Sequence, residues 1–230
     1  MIRDLYDDFD FGDFDKSNFF ENEWNDTAEL ESSYYDVVKN IKDDGVVVDI
    51  GASTGVISWL ALKSNPNLKH IHMVEPNPPY IELIKKNFKD VDNWTLTEKI
   101  ISDASGERKL NWDNLNIVLP STTFKELIRG IDRIDLLKID IEGDEYNIFT
   151  NEYVGYLNHN VGDMIIEFHT STQEHKEKFS YVRDNIIPKL MFNKTMDVYA
   201  LDDTHINWNY WNPEFIPYYN CFMIVLKDKR

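Results

Sequence analysis

A single cysteine, Cys221, among 230 residues leaves no partner for an intrachain disulfide and fits a reducing compartment. It lies in the apolar run from Cys221 to Leu226 and reads as a small core residue. Nor is there an apolar run of the roughly 18 residues a membrane-spanning helix needs. The opening carries Asp4, Asp7, Asp8, Asp10, Asp13 and Asp15, the opposite of a signal or transit peptide, so the expected location is cytoplasmic. Basic residues are scarce: 24 Lys and Arg stand against 41 Asp and Glu, a net charge of -17. Affinity for phosphate polymers comes largely from Lys and Arg displacing counterions, so a nucleic-acid or anionic-membrane partner is not expected. The local cluster Lys85, Lys86 and Lys89 reads as the solvated face of a helix. What the chain does have is 42% hydrophobic and 13% aromatic content, ample for one α/β domain with helices on both faces of a buried sheet.

The organising stretch is Val46-Val47-Val48-Asp49-Ile50-Gly51-Ala52-Ser53-Thr54-Gly55. An unbroken β-branched run bounded by turn residues predicts a buried parallel strand, and the glycines predict a tight turn into a helix from Val56 to Lys63. Gly51 and Gly55 let backbone turn sharply and lie against a ligand, while Asp49 accepts hydrogen bonds from a bound donor. A dinucleotide brings pyrophosphate to such a loop and wants G-x-G-x-x-G, whereas a carboxylate there repels phosphate and suits an ammonium. S-adenosylmethionine has the ammonium and no phosphate.

Residues 1–26 interleave acids with Phe9, Phe11, Phe14, Phe19, Phe20 and Trp24, an acidic aromatic arm ahead of a domain spanning 27–230. A substrate cover, packing on the domain's own surface and an unstructured tail all fit that composition. Thr27 is a plausible cap for a helix to about Lys42. His70 to Glu75 predicts a second strand whose terminal acid sits where α/β nucleotide sites bind ribose hydroxyls. Asn77-Pro78-Pro79-Tyr80 resembles the tetrapeptide of amino-methyltransferases, but it follows the second strand instead of the fourth and reads as a helix start. Trp94 to Ser102 predicts a third strand that brings Ser102 and Asp103 to the adenine side, with a return strand from Glu107 to Trp112. Thr122-Thr123 with Glu126 is a capping-box pattern opening a helix to about Arg129.

The second loaded stretch is Ile134 to Glu145. Apolar neighbours around Asp140 predict a buried strand whose carboxylate emerges at its carboxyl end, where open α/β sheets bind ligands. Glu142 shares that face if the strand continues. A fifth strand from Asp163 to Phe168 presents Glu167 and His169. A helix from Gln173 to Leu190, interrupted near Pro188, and closing strands Thr195–Leu201 and Tyr219–Leu226 complete the chain. The aromatics from Trp208 to Tyr219 either cover the acceptor or cap the sheet edge.

In order, Val48-Asp49-Ile50-Gly51-Ala52 with Gly55, Glu75-Pro76-Asn77, Ser102-Asp103 with Gly106, Thr122-Thr123 to Leu127, Leu137 to Gly143 with Glu145, and Ile166-Glu167 with His169 resemble the blocks of the FkbM family of S-adenosylmethionine-dependent methyltransferases. Ser53 stands where the family's loop usually has Asn. The resemblance implies a class I methyltransferase Rossmann-like fold, a mostly parallel seven-stranded α/β sheet, and O-methylation of a hydroxyl on a sugar or small natural product. It implies cofactor binding by Asp49, Gly51, Ala52, Ser53, Gly55, Glu75, Asn77, Ser102, Asp103 and Asp140. For the chemistry, His169 is the expected base because free imidazole titrates near neutrality, with Asp140 and Glu142 beside it. His169 as a structural imidazole is the other reading. Asp140, Glu142, Glu167 and His169 could alternatively hold Mg or Mn, and Glu142 and Glu145 could simply favour the following helix. A non-catalytic cofactor-binding module is the rival class, and a nicotinamide oxidoreductase is disfavoured by Asp49 and the missing third glycine.

Overall fold

The β-branched run forms strand β1 (Val46–Ile50), buried from Val47 onward as a strand covered on both faces must be. The computed structural model describes residues 5–12, 34–112, 115–200 and 220–230. Parallel pairing joins β1 to β2 (His70–Val74) on one side and to β7 (Ile134–Ile139) on the other. With β3 (Trp94–Thr97), β8 (Val161–His169), β9 (Lys194–Ala200) and β10 (Cys221–Asp228) they make a seven-stranded sheet of order β3-β2-β1-β7-β8-β10-β9. Only β10 runs against its neighbours. A second sheet of three strands, in the order β4-β6-β5, is built from β4 (Ile100–Ile101), β5 (Gly106–Trp112) and β6 (Leu115–Thr122).

Helices α1 (Val56–Ser64) and α2 (Pro78–Asn87) cover one face, where Trp59, Leu60, Ile84 and Phe88 pack with Val47, Ile71, Leu136 and Ile165 of the strands. The opposite face holds Val48, Ile50, Leu137, Ile166 and Phe168 against Leu157 of α4 (Val154–His159) and Phe179 and Val182 of α5 (Gln173–Asn185). Strand alternation sorts one stretch of chain into both cores. Residues 5–12 pack on the domain's own surface: Tyr6, Phe9 and Phe11 are buried in the first core, and the Trp59 indole donates to the Leu5 carbonyl at 2.9 Å.

Several boundaries differ from the sequence reading. The segment 94–102 is two strands, because β3 stays in the large sheet while β4 pairs with β6, and Ser102 N–H donates to Thr122 O at 2.9 Å. Ser102 and Asp103 therefore belong to the small sheet and do not end a strand of the large one. Thr123 caps α3 (Phe124–Leu127) by accepting from Glu126 N–H, but the Glu126 carboxylate turns to Thr122 and Ser105 and does not reach back, so the box is half formed. Pro188 lies in the first turn of α6 (Ile187–Leu190), and the long helix breaks at Ile186, where a proline ring is compatible with the start of a new helix. Residues 34–38 are helical and the chain leaves the helix before Lys42. Thr27, Phe14 to Trp24 and the aromatic stretch Trp208 to Tyr219 lie outside the described residues. No helix among the described residues is long and apolar enough to cross a membrane.

Candidate active site

At the end of β1 the chain turns through Gly51 at φ 79, and a Cβ there would stand 1.7 Å from the Asp140 carbonyl. Gly55, at φ 85, caps α1 and lies where a Cβ would meet the Phe88 ring at 3.0 Å. Both glycines therefore serve close approach of the chain to itself: Gly51 brings β1 against the end of β7, and Gly55 seats α1 on α2. For Gly55 the packing against Phe88 is by itself a reason for glycine. Ala52 is buried, its N–H donating to Val74 O at 3.0 Å, and Ser53 takes the left-handed region at φ 51.

The Ser53 conformation has a use. Its N–H donates to Glu75 Oε2 at 2.8 Å, while Asn77 N–H donates to Oε1 at 2.8 Å. Two backbone donors thus fix the Glu75 carboxylate just beyond β2 and leave each oxygen a further lone pair for a ligand hydroxyl. Burial pushes the Glu75 pKa up to about 7, against the opposing pull of those two N–H groups and of Lys138. Asn77 itself is the N-cap residue of α2, followed by Pro78 and Pro79 in its first turn, so the tetrapeptide is a helix start.

Parallel register places Asp49 of β1 opposite Lys138 of β7. The Asp49 carboxylate is 0% exposed: Oδ2 accepts from Ser58 Oγ at 2.7 Å, and Oδ1 lies 3.5 Å from Lys138 Nζ with no hydrogen-bond partner among the described residues. Asp49 is therefore a buried counter-charge, which corrects its reading as a direct acceptor at the turn. Lys138 donates to Gly51 O at 2.6 Å and lies 3.6 Å from Asp140 Oδ2. Burial works against its charge, but Asp140, Asp49, Glu167 and Glu75 outweigh it and raise its pKa. Four carboxylates around one ammonium give an acidic surround once Glu75 and Glu167, whose pKa values burial raises, are ionised, the field a cationic ligand needs.

Asp140 follows β7 directly, its N–H donating to Ile50 O at 3.0 Å and its side chain 29% exposed. The strand does not continue to Glu142. That residue adopts φ 57 and its side chain is 86% exposed, so the shared-face expectation fails as geometry. A turn does what alternation does not. Glu145, fully buried, accepts at Oε1 from Ile141 N–H at 3.2 Å, from Gly143 N–H at 3.1 Å and from His169 Nδ1 at 2.7 Å. This folds the turn and leaves His169 Nε2 3.3 Å from Glu142 Oε2 and 3.9 Å from Asp140 Oδ1.

His169 is correspondingly altered. Burial lowers the tendency of the ring to charge, but its hydrogen bonds with Cys221 and Glu145 outweigh it and push its pKa up to about 11. That shift weighs against its reading as the base and towards the other reading, a structural imidazole bonded to a neighbouring acid. Beside it, Glu167 accepts from Tyr34 Oη at 3.0 Å and from the Cys221 thiol at 3.8 Å, and burial raises its pKa. Sequence reasoning passes over Lys138, Glu145 and Tyr34 as site residues. A lysine inside the apolar run Ile134–Ile141 is itself a signal, and Glu145 belongs to a block that the family resemblance includes; nothing around Tyr34 marks it. Ser102 donates to Asp103 Oδ1 at 3.0 Å, a local turn bond. The groove of about 620 Å³ lined by Asp8, Trp59, Lys63 and Lys86 contains none of these residues.

The sequence pattern of the methyltransferase FkbM domain matches residues 49–193, which takes in the turn, the row of acids and α5. No curated protein matches the chain. Among solved structures, a methyltransferase FkbM from Methylobacillus flagellatus superposes with TM-score 0.52 at 15% identity, over 97% of this chain and 57% of that one. An rRNA methylase from Streptococcus thermophilus gives TM-score 0.53 at 12% identity, over 89% and 98%. SMU.1697c of Streptococcus mutans, solved with S-adenosylhomocysteine, gives 0.52 at 8% identity, over 88% and 98%. At such identities these structures speak for the fold, the mostly parallel seven-stranded sheet of class I methyltransferases.

Proposed function

The chain belongs to the FkbM family of methyltransferases, and from that footing we propose that it transfers the methyl group of S-adenosylmethionine to a hydroxyl oxygen of a small acceptor such as a sugar or natural product. The observation that carries this reading is the position of Asp140: partly exposed, at the carboxyl end of β7, against the Gly51 turn and beside Lys138. The cofactor fits the residues present. The acidic surround suits its sulfonium and ammonium, and Glu75 is held with free lone pairs for two ribose hydroxyls. When bound, S-adenosylmethionine supplies a methyl already activated on sulfur, so the C–S bond breaks as the C–O bond forms and its electron pair stays on sulfur. The protein must then align the acceptor and remove its proton. Asp140 accepts that proton, His169 gives a fixed positive edge through Nε2, and Tyr34 and Glu167 bound the acceptor side.

The test is product analysis with purified protein. S-adenosylhomocysteine is expected to form faster when hydroxylated saccharides are added, with the label of a methyl-tritiated cofactor moving to acceptor oxygen. Cofactor binding without acceptor-dependent turnover would make the chain a binding module.

The Glu75 environment gives a pH dependence. Its ionised form accepts from the ribose, and its pKa in the empty protein is about 7. Affinity for S-adenosylmethionine is therefore expected to level off above pH 8 and to weaken by about tenfold per unit on the acid side, as the carboxylate must first lose its proton. Calorimetric titrations from pH 5.5 to 8.5 measure it. In Glu75→Gln the affinity should be weaker throughout and the slope gone; a slope that persists assigns it to another group.

A further inference from the structure

Three donors converge on one oxygen of the buried Glu145: Ile141 N–H, Gly143 N–H and His169 Nδ1 all reach Oε1, the last at 2.7 Å. The two backbone donors belong to the turn that follows Asp140, so a single side chain joins that turn to the ring. The other oxygen, Oε2, is buried with no hydrogen-bond partner among the described residues. A carboxylate so placed needs a cation beside it, because a buried charge left unpaired is strongly destabilising. The group that touches it and can become positive is His169.

The far side of the ring fits the same arrangement. Nε2 faces Glu142 Oε2 at 3.3 Å and Asp140 Oδ1 at 3.9 Å. The groups around the imidazole are thus Glu145, Glu142 and Asp140 from the turn, Glu167 from its own strand and Cys221 from β10. A protonated imidazole donates from both nitrogens, and here both nitrogens meet carboxylate oxygens.

Glu145 does not shape the turn alone. Asp144 pairs with Arg108 of β5 and accepts from Asn147 Nδ2 at 3.0 Å, and the His175 ring of α5 packs so closely on Gly143 that a Cβ there would collide with it. These contacts grip the turn from outside. What depends on the charge of Glu145 is the ring.

We propose that Glu145 is a positioning residue of the methyl transfer: from behind Nδ1 it keeps His169 protonated and turned so that Nε2–H faces Asp140, which steadies the Asp140 carboxylate where it meets the acceptor. The role rests on the methyl-transfer reading, whereas the state of the ring does not. On this account His169 has no lone pair to offer a metal ion.

The test uses the full chain with its histidine rings labelled with ¹⁵N, the His169 signals being identified by their loss in His169→Gln. From about pH 6 to 9, a range in which a free imidazole loses its proton, both His169 nitrogens are expected to keep the chemical shifts of the protonated ring. In Glu145→Gln, which keeps the length of the side chain and removes its charge, the ring should become neutral within that range. Calorimetry on the same variant should show S-adenosylmethionine affinity unchanged, while kcat with a saccharide that the unaltered chain methylates should fall about tenfold to a hundredfold, the effect of slightly misplacing a reacting group. A merely structural Glu145 would lower the melting temperature and leave the protonation of the ring where it was. A His169 ring already neutral at pH 7 in the unaltered chain would overturn the proposal, and that spectrum decides alone if Glu145→Gln does not fold. A ring that keeps its proton in Glu145→Gln would overturn it too, as would an unchanged kcat. A ring that Glu145→Gln discharges, in a chain that binds S-adenosylmethionine but methylates no saccharide, would sustain the pairing of Glu145 with His169 and remove the methyl-transfer reading.

Discussion

Asp140→Asn is expected to lower turnover by about a hundredfold to ten-thousandfold, the usual worth of a positioned proton acceptor, with melting temperature nearly unchanged. A hydroxyl attacking a methyl group must shed its proton, and the groups near enough are Asp140, Glu167, His169 and Lys138. The pKa of His169 is raised by its hydrogen bonds with Cys221 and Glu145, and that of Lys138 by the carboxylates around it, so both are poor proton acceptors at neutral pH. Glu167 is half-buried, and its two oxygens are engaged by Tyr34 and Cys221. Asp140 is left, open enough to meet an acceptor and steadied by Lys138 at 3.6 Å. Asparagine keeps its size and polarity but accepts no proton. If Asp140 only helped to seat the cofactor, the substitution would raise the KM for S-adenosylmethionine and spare kcat. A drop in kcat at saturating cofactor separates the two. An unchanged kcat removes Asp140 from the chemistry.

Gly51→Ala is expected to destabilise the fold by more than about 4 kcal/mol, in the range reserved for severe steric or cavity defects. A methyl group at this position would sit 1.7 Å from the Asp140 carbonyl oxygen, inside any permissible contact, and the φ of 79 is itself unfavourable for alanine. Backbone, not a flexible side chain, would have to move, and it would part the β1 turn from the end of β7 where the site lies. For a domain of this size that corresponds to a fall in melting temperature of at least about 8 °C. Gly130 supplies the control. It has nearly the same conformation, φ 85, but a methyl group added there would meet no atom within 4 Å. Gly130→Ala should therefore cost only the strain of the left-handed conformation, about 1–2 kcal/mol. Thermal melts of the two variants side by side measure the difference. Equal losses would mean that conformational strain alone, and not the close approach of the β1 turn to the end of β7, governs Gly51.

The strands of the large sheet are readable because burial on both faces writes itself as continuous Val, Ile and Leu, as in Val46–Ile50 and Ile134–Ile139. Strand ends are readable for the same reason, since Glu75, Asp140 and His169 follow directly on apolar runs. What escapes is whatever depends on partners distant in sequence. Alternation places Ser102 after a third strand, yet the switch of Ile100–Ile101 to pair with β6 is decided by a strand some twenty residues on. The direction of the Asp49 side chain is set by Ser58 and Lys138, and neither can be inferred from the turn itself. His169 is recognisable as chemically important from its place at the end of β8. Its protonation state is not, because the decisive neighbour, Glu145, approaches from a turn whose shape depends on Glu142 leaving the strand conformation.

Asp49 is one of a set of carboxylates, with the buried Glu75 and the partly exposed Asp140 and Glu167, grouped around the single ammonium of Lys138. Such a site rejects pyrophosphate for the same reason that it accepts a sulfonium. Calorimetric titration of the purified chain at pH 8 with S-adenosylmethionine, and in parallel with NAD⁺, tests this directly. The expected result is saturable uptake of one S-adenosylmethionine per chain and no heat from the dinucleotide; uptake of NAD⁺ by a protein indifferent to S-adenosylmethionine would contradict it.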